Sequence, residues 1–188
     1  MIQGVLLAAG AATRFGSNKL LHPLADGTPI VVAAARRLLK VLPNSLAVVK
    51  SGDVSVRELL KAVGMRTISC LRVERGMGAS LACGVAASAD ASGWLIALAD
   101  MPWIQEDTLR GIVALLEKDA LLAAPFYQNQ RGHPVGFSAA LRTRLLALDN
   151  DQGGRAVIAQ YQNRLERLCV ADPAVVADVD TCEDLESQ

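Results

Sequence analysis

The amino-acid sequence predicts an α/β protein: a three-layer α/β/α sandwich around a mostly parallel sheet with an antiparallel strand. Apolar runs of strand length alternate with stretches of helical periodicity, and the connections between them are short. No linker, internal repeat or low-complexity tract interrupts the 188 residues. A chain of this length can bury one full hydrophobic core, so we expect a single domain spanning residues 1–188.

Strands are predicted where short apolar runs occur, at residues 2–8, 46–49, 67–71, 94–98, 121–125 and 165–170. Helices are predicted at residues 30–42, 54–63, 81–88, 106–118, 139–148 and 153–162. Pro29 stands where a first helical turn tolerates proline, Pro43 follows the end of that helix, and Gly64 ends the next one. A polar turn at 128–132 between apolar segments predicts a hairpin-like excursion, and a last short segment is expected at 176–179.

Charge and composition exclude several classes of function. Nineteen Lys and Arg residues balance nineteen Asp and Glu residues, so we expect neither nucleic acid nor a membrane as a partner. No apolar stretch reaches the ~18–20 residues that a membrane span needs. The first residues also lack the basic segment of a signal peptide, and we therefore expect a cytoplasmic protein.

The four cysteines are isolated in the sequence, at Cys70, Cys83, Cys169 and Cys182. They form no C-x-x-C pair, and neither histidine has the spacing of a zinc ligand. We therefore expect four reduced thiols that mostly fill the core, and no structural zinc site.

The stretch after the first strand has the composition of a phosphate site. The strand ends at Ala8-Ala9-Gly10, and two fixed cations, Arg14 and Lys19, follow it. Backbone amides in a small-residue turn can approach phosphate oxygens while Arg and Lys neutralise their charge. The spacing matches neither a Walker loop nor G-x-G-x-x-G, and an ordinary strand-to-helix connection is the alternative.

Two further stretches are expected in the same crevice, because ligands of open parallel sheets lie at the carboxyl ends of strands. Asp100 follows the strand 94–98 closely, where its carboxylate can hold Mg²⁺ that bridges phosphate oxygens. Capping of the following helix is the alternative. The small residues at 76–80 let the backbone approach a flat base, and Ser80 adds a hydroxyl; alternatively, they only start a helix.

The last third of the chain offers further candidates. Arg131 and His133 place a cation and an imidazole in one loop, and residues 151–155 have the composition of a helix start with a candidate cap. Asp178 and Asp180 lie two positions apart, which puts both on the same face if that segment is a strand. In that case, either both side chains reach the crevice or both face water. The sequence contains no Ser-His-Asp set at a recognisable spacing.

Taken in order, six stretches resemble the nucleotidyltransferase family of the molybdenum cofactor cytidylyltransferases and related guanylyltransferases, which implies a Rossmann-like fold of the GT-A type. The stretches are Leu7-Ala8-Ala9-Gly10 with Arg14-Phe15-Gly16 and Asn18-Lys19-Leu20, Gly76-Met77-Gly78-Ala79-Ser80-Leu81, Ala99-Asp100-Met101-Pro102, Gly132-His133-Pro134-Val135, Asp151-Gln152-Gly153-Gly154-Arg155 and Asp178-Val179-Asp180-Thr181. The resemblance covers essentially the full chain.

The resemblance implies a role for each matching residue. Nucleotide-binding residues would be Leu7, Ala8, Ala9, Gly10, Arg14, Lys19, Gly76, Gly78, Ser80 and Asp100. Within this set, Arg14, Lys19 and Asp100 would be catalytic: the two cations would hold the triphosphate, and Asp100 would coordinate Mg²⁺ with Asp180 as a candidate second ligand. The acceptor would lie against His133, Pro134, Asp151, Gly153 and Arg155.

The reaction implied by the resemblance is transfer of CMP from CTP to the phosphate of a molybdopterin-type cofactor, with release of pyrophosphate. The double alanine of Ala8-Ala9 resembles the CTP-using members more than the GTP-using ones. One alternative is another NTP or acceptor, such as GTP or a sugar phosphate. Another is a non-catalytic accessory protein that hands a nucleotide or cofactor to a molybdoenzyme, which would then be a partner.

Overall fold

The structure is a computed structural model and describes residues 1–10, 18–149, 151 and 153–179. Its strands are β1 Ile2–Ala8, β2 Leu46–Lys50, β3 Arg66–Cys70, β4 Gly93–Leu98, β5 Leu122–Tyr127, β6 Gln130–Arg131, β7 Val135–Ser138 and β8 Leu165–Cys169. Its α-helices are α1 Ile30–Val41, α2 Val54–Ala62, α3 Met77–Ala86, α4 Glu106–Glu117, α5 Arg142–Leu146 and α6 Arg155–Gln160. Turns of 3-10 helix lie at Lys19–Leu21, Val73–Arg75, Ala139–Leu141, Gln162–Arg164 and Pro173–Val176.

All these strands belong to one sheet with the order β3-β2-β1-β4-β7-β5-β6, and β8 pairs with β5. The pairs β1–β2, β2–β3, β1–β4 and β5–β8 are parallel. β7 runs antiparallel between β4 and β5. The predicted α/β fold with a mostly parallel sheet and an antiparallel strand is confirmed.

The side chains of the central strands alternate between two apolar layers, one on each face of the sheet. In β1, Leu6 and Ala8 pack on the face covered by α1, α2 and α4, while Val5 and Leu7 pack on the face covered by α3, α5 and α6. Trp94, which is fully buried, belongs to the second layer. A strand buried on both faces needs apolar residues at every position, which is why these strands appear as uninterrupted apolar runs in the sequence.

The direction of the chain across the sheet reverses between β1 and β4. From β1 the chain proceeds outward to β2 and β3, and then returns through α3 to β4 on the other side of β1. The loops that follow β1 and β4 therefore start side by side at the carboxyl edge of the sheet. Such a reversal of strand order opens the crevice in which open α/β sheets bind ligands.

The predicted hairpin-like excursion is a tight turn between β5 and β6. Tyr127 pairs with Gln130, and the two turn residues, Gln128 and Asn129, both have positive φ, 47° and 66°. Two-residue hairpin turns favour this left-handed conformation because it matches the twist of the strands. The chain then passes from β6 through Gly132 to Pro134 into β7.

Several predicted boundaries differ from the structure. Helix α3 begins at Met77 and not at 81, so most of the predicted 76–80 loop is the first turn of a helix. The helices expected at 139–148 and 153–162 are shorter, and each adjoins a 3-10 turn. Residues 177–179 form no strand, which removes the structural reason for placing Asp178 on a strand face.

The expectation of four reduced thiols is wrong for one pair. Cys70, at the end of β3, and Cys83, in α3, form a disulfide, with their Cα atoms 6.1 Å apart. The packing of α3 against the end of β3 brings these residues together, and their separation of 13 positions carries no local signal. Cys169 is a free thiol but is exposed and not core filler. Cys182 lies outside the described residues.

No helix within the described ranges is long and apolar enough to cross a membrane.

Candidate active site

Two adjoining cavities lie at the carboxyl edge of the sheet, beside the reversal between β1 and β4. The first, of about 400 Å³, is lined by all three of the stretches expected there, through residues that include Ala9, Gly10, Lys19, Gly76, Ser80 and Asp100. The second, of about 360 Å³, lies towards β6 and α6, and its lining includes Arg131, His133, Arg155 and Asp178. Asp100 and Asp151 line both cavities and therefore stand between them.

Lys19 and Asp100 form an ion pair at the junction of the cavities. Lys19 Nζ lies 2.9 Å from Asp100 Oδ2, and it also donates a hydrogen bond to the Val179 carbonyl oxygen at 2.7 Å. The Val179 amide in turn donates to the Asp100 carbonyl oxygen at 3.0 Å. The C-terminal segment thus contributes backbone atoms that hold both charged residues in place.

Lys19 is carried by a short turn whose position is fixed from two sides. Asn18 caps the 3-10 turn Lys19–Leu21 by accepting a hydrogen bond from the Leu20 amide. The Asn18 side-chain amide also donates to Asp53 Oδ2 at 2.7 Å, and Asp53 caps α2 through its other oxygen. The end of the first loop is therefore anchored to the start of α2.

Asp100 sits in a turn that is tied to β1 and α1. The Ala99 amide donates to the Leu7 carbonyl oxygen, which continues the β1–β4 ladder to the edge of the site. Arg37 Nε of α1 donates to the Pro102 carbonyl oxygen at 2.8 Å. Helix α4 begins at Glu106 with Gln105 as its N-cap, so Asp100 does not cap it, and the alternative role considered for this residue is excluded.

The first turn of α3 forms a wall of the first cavity. Gly76 precedes it with φ +104°, and a Cβ atom at this position would collide with the Asp151 side chain and backbone. Only glycine combines that backbone conformation with such a close approach. Ser80, one turn further into the helix, is 5% exposed and lines the cavity.

Not every residue assigned to the nucleotide by resemblance lines a cavity. Leu7, Ala9 and Gly10 line the first cavity, whereas Ala8 packs into the core on the opposite face of the sheet. Gly78 is buried inside the first turn of α3 and lines neither cavity. Arg14 and Asp180 lie outside the described residues, so their predicted roles stay predictions.

The second cavity combines two guanidinium groups with an imidazole. Burial lowers the pKa of Arg131, and the charge of Arg155 lowers it further. Burial also lowers the pKa of His133 to about 4, reinforced by Arg131 and Arg155 and opposed by Asp100. His133 is therefore neutral near pH 7, and its buried Nδ1 atom has no hydrogen-bond partner among the residues that the structure describes.

The loop that carries His133 is held by the C-terminal segment. The His133 amide donates to the Val175 carbonyl oxygen at 2.8 Å, and the Gly132 amide donates to the Pro125 carbonyl oxygen at 2.8 Å. A side chain at Gly132 would collide with the Val175 backbone. The imidazole therefore projects from a backbone that is fixed on both sides.

Of the residues predicted to bind the acceptor, some line the second cavity and others do not. His133, Asp151 and Arg155 line the second cavity, but Pro134 and Gly153 do not. The N-cap of α6 is Gly154, without a side-chain hydrogen bond, so the predicted helix cap at Asp151 is wrong. Asp151 lies against Gly76, and Gly153, at φ +55°, lies against the Met77 side chain next to it.

Sequence reasoning missed two charged residues of the first cavity, Lys50 and Glu74. Lys50 ends the apolar strand β2 and Glu74 lies in the 3-10 turn before α3. Lys50 carried the same signal as Asp100, a single charge at the carboxyl end of an apolar strand. Glu74 had no comparable signal.

The model of the MobA-like NTP transferase domain matches residues 4–165. Nicotine blue oxidoreductase of Paenarthrobacter nicotinovorans is 27% identical over 193 residues, covering 98% of this chain and 94% of that protein. The purine catabolism protein PucB of Bacillus subtilis is 28% identical over 191 residues, covering 96% and 92%.

The chain also superposes over nearly its whole length on solved structures. The crystal structure of Rv0371c from Mycobacterium tuberculosis superposes with a TM-score of 0.86 at 29% identity, covering 99% of this chain and 95% of that one. A second structure of Rv0371c, in complex with manganese, superposes with a TM-score of 0.82 at 26% identity, covering 99% and 96%. The family match extends over most of the chain, and it includes the first loop, the α3 wall, the Asp100 turn and the His133 loop. The protein belongs to the family of the MobA-like NTP transferase domain and is a nucleotidyltransferase.

Proposed function

We propose that this nucleotidyltransferase transfers CMP from CTP to the phosphate of a molybdopterin-type cofactor and releases pyrophosphate. The observation that carries the proposal is the Lys19–Asp100 pair at the junction of two cavities. A nucleotide in the first cavity and an acceptor in the second would have their reacting phosphates beside this pair.

The first cavity has the shape and chemistry for a nucleoside triphosphate. Leu7, Ala9 and the Gly76 turn offer apolar and backbone surface for a base and ribose, and Lys19 offers a cation for the phosphates. The double alanine at the end of β1 supports CTP, because this form resembles the CTP-using members of the family.

A divalent cation fits the same place. Asp100 is 24% exposed and lines both cavities, and Mg²⁺ in such enzymes needs only one or two carboxylates together with substrate phosphates. Within the described residues, no group of three or more acidic, His or Cys side chains could hold a metal by itself. Asp100 would hold the ion, with Asp180 as a proposed second ligand, and a bound Mg²⁺ would neutralise charge on the triphosphate.

The reaction needs alignment and charge neutralisation more than proton transfer. An oxygen of the acceptor phosphate, already ionised near pH 7, attacks the α-phosphorus of CTP; the new O–P bond forms while the α–β bridging P–O bond breaks. Pyrophosphate leaves with the electron pair of that bond. Lys19 stabilises the charge that accumulates on the phosphates, and the fixed backbone around Asp100 and His133 sets the approach.

The proposal is tested by supplying each of the four NTPs with Mg²⁺, with and without molybdopterin, and measuring pyrophosphate release. We expect release that requires both CTP and molybdopterin, and that stops when the metal is chelated. Faster turnover with GTP, or with a sugar phosphate as acceptor, would transfer the proposal to that substrate. Tight binding of the cofactor with no turnover of any NTP would instead identify an accessory protein that serves a molybdoenzyme.

A further inference from the structure

The disulfide between Cys70 and Cys83 encloses a large part of the wall of the first cavity. Cys70 ends β3 and Cys83 lies in α3, so the bond closes the segment that holds a 3-10 turn and the first turn of α3. Of the fourteen described residues that line the first cavity, five belong to this segment: Val73, Glu74, Gly76, Met77 and Ser80. The bond therefore constrains the backbone that carries these five residues.

Packing supports this segment unevenly. Ala79 and Leu81 of α3 are buried, whereas none of residues 71–76 is buried. The Arg75 side chain forms an exposed ion pair with Asp149, a kind of contact that contributes little to stability. Segments with few buried apolar contacts open locally at a low cost in free energy. Without the covalent closure, the chain between β3 and α3 would therefore move more freely than the helix that follows it.

The two sulfur atoms have different surroundings. Cys70 is 1% exposed, and its Sγ lies 3.7 Å from the Ala79 carbonyl oxygen of α3. Cys83, one helical turn after Ala79, is partly exposed. An external thiolate therefore has better access to Cys83, and Cys70 becomes the leaving group. Once reduced, the Cys70 thiol can donate to the Ala79 carbonyl oxygen, so neither redox state leaves it without a partner.

We propose that Cys70 and Cys83 form a redox switch that sets how tightly the first cavity binds a nucleotide. The disulfide holds the wall of residues 71–82 in place, and the dithiol form loosens it. The proposal concerns the regulation of the same site as the proposed function, and it rests on that function in one respect, namely that a nucleotide occupies the first cavity. A wall that is already ordered costs less conformational entropy when a ligand binds, so the disulfide form has the higher affinity.

The switch operates by exchange with an external dithiol. A thiolate of the dithiol attacks Cys83 Sγ, the S–S bond breaks, and Cys70 leaves as a thiolate that takes up a proton. The second thiol of the reductant then displaces Cys83 from the mixed disulfide, and Cys83 takes up the other proton. Two electrons pass from the dithiol, which becomes a disulfide, to the protein. Oxidation follows the same steps in reverse.

Such a switch must act in both directions. If the disulfide form binds a nucleotide more tightly by some factor, thermodynamic linkage requires the nucleotide to oppose reduction by the same factor. We expect a factor of about five or more, which is typical of coupling between two sites of a protein. For a two-electron couple, a fivefold factor lowers the midpoint potential of the disulfide by about 21 mV.

The binding experiment compares the two redox forms of the full chain. CTP with Mg²⁺, and each of the other three NTPs in turn, is titrated by calorimetry into the disulfide form and into protein reduced by dithiothreitol. Alkylation followed by mass analysis counts the thiols in each sample. We expect the Kd for CTP to be about fivefold or more higher in the reduced protein. In dithiothreitol redox buffers, saturating CTP should lower the midpoint potential by the amount that this factor requires.

A second measurement needs no nucleotide. Hydrogen exchange is followed at the backbone amides of residues 71–82 in both redox forms. The amides of α4 are the internal control, because this helix packs on the opposite face of the sheet from α3. Reduction should speed exchange in residues 71–82 by about fivefold or more and leave α4 unchanged. Unchanged exchange in α4 also shows that the reduced protein is folded.

Variants assign the effect to this pair of cysteines. Cys70→Ser/Cys83→Ser should bind CTP with the Kd of the reduced protein and should not respond to dithiothreitol. Cys169→Ser/Cys182→Ser is the matched control, because it keeps only the other two of the four cysteines in the sequence, and it should retain the full response. The comparison within the wild type holds even if a variant does not fold.

Three results would overturn the inference: equal Kd values for CTP in the two redox forms, equal exchange rates at residues 71–82, or a midpoint potential that CTP does not change. The outcome is separate from the test of the proposed function. Release of pyrophosphate from CTP with equal Kd values in both forms would support that function and overturn the switch. If no NTP binds to either form, the proposed function fails, and hydrogen exchange alone decides whether reduction loosens the wall.

Discussion

Lys19 and Asp100 illustrate how single residues of this site depend on each other. Their side chains are only 15% and 24% exposed, and each carries the charge that compensates the other. Removing either residue breaks the ion pair of a partly buried charge, so loss of function must be separated from loss of stability. Neutral replacements of the same size are therefore more informative than truncations.

Asp100→Asn keeps the size and an oxygen that can accept from Lys19, but it removes the charge that would hold a metal. We expect a folded protein whose pyrophosphate release falls on the order of 10²-fold or more, as when a transition-state contact is lost. The control is Asp90→Asn, because Asp90 is exposed and lies in neither cavity. Thermal unfolding confirms that both variants are folded. Turnover by Asp100→Asn at the rate of the control would exclude Asp100 from catalysis.

His133 should make the stability of the protein depend on pH. Its pKa is about 4 in the folded state, against an ordinary value of 6.5. Between these values the unfolded chain binds the proton more readily, so the stabilisation is complete above pH 6.5 and is lost as the pH falls towards 4. In urea unfolding, the drop in the free energy of unfolding from pH 7 to pH 4.5 should be larger in the wild type than in His133→Gln, by on the order of 2 kcal/mol. Equal drops would show that the ring is not held in its neutral form.

At the scale of elements, the start of α3 connects the two cavities. Because Gly76 has no side chain, helix α3 can begin in contact with Asp151, and Asp151 lines both cavities. The small residues from 76 to 80 allow two interpretations, a loop that approaches a base or the start of a helix, and the structure has the helix start. The helix forms nevertheless, since Ala79 and Leu81 are buried against the sheet and tertiary packing outweighs the low helix propensity of glycine.

Gly76→Ala tests this connection. The new Cβ would meet the Asp151 side chain and backbone and would also require φ +104°, so we expect a loss of roughly 2–4 kcal/mol in the free energy of unfolding. Gly27→Ala is the matched control: its φ is +79°, but nothing lies near the added atom, so only the backbone strain of about 1 kcal/mol applies. Equal effects in urea unfolding would mean that α3 can move away from Asp151 without cost.

The sequence predicts secondary-structure elements that depend on neighbouring residues. It does not predict contacts between residues that are far apart in the chain. β1 and β4 were predicted as strands because burial on both faces requires apolar residues throughout. Asp100 is predictable as a site residue because it follows such a strand closely. The side of the sheet to which Ala8 points, by contrast, depends on register, and the pairing of Lys19 with Asp100 depends on how two distant loops meet. Neither the orientation of Ala8 nor the Lys19–Asp100 contact can be predicted from a pattern in a short stretch of sequence.

At the scale of the whole molecule, the order of the strands creates the site. β1 and β4 are neighbours although some 85 residues separate them in the chain, and the carboxyl ends of both strands open into the first cavity. The antiparallel β7 then brings the loop with His133 to the same edge, where the C-terminal segment meets it through Val175. The carboxyl edge of the sheet thus holds residues from the N-terminal and the C-terminal parts of the chain. The carboxyl end of the outer strand β3 lies at the same edge.

The disulfide between Cys70 and Cys83 fastens that outer strand to α3, and it closes a loop that contains the Gly76 turn. Breaking the bond restores freedom to the unfolded chain, so reduction should lower the free energy of unfolding by about 3 kcal/mol for a loop of this length. Urea unfolding with and without a phosphine reductant measures the change, and alkylation followed by mass analysis counts the thiols in each sample. The double variant Cys70→Ser/Cys83→Ser should not respond to the reductant. Equal stability of the oxidised and reduced protein would show that packing alone holds α3 against β3, and that the α3 wall of the first cavity needs no covalent support.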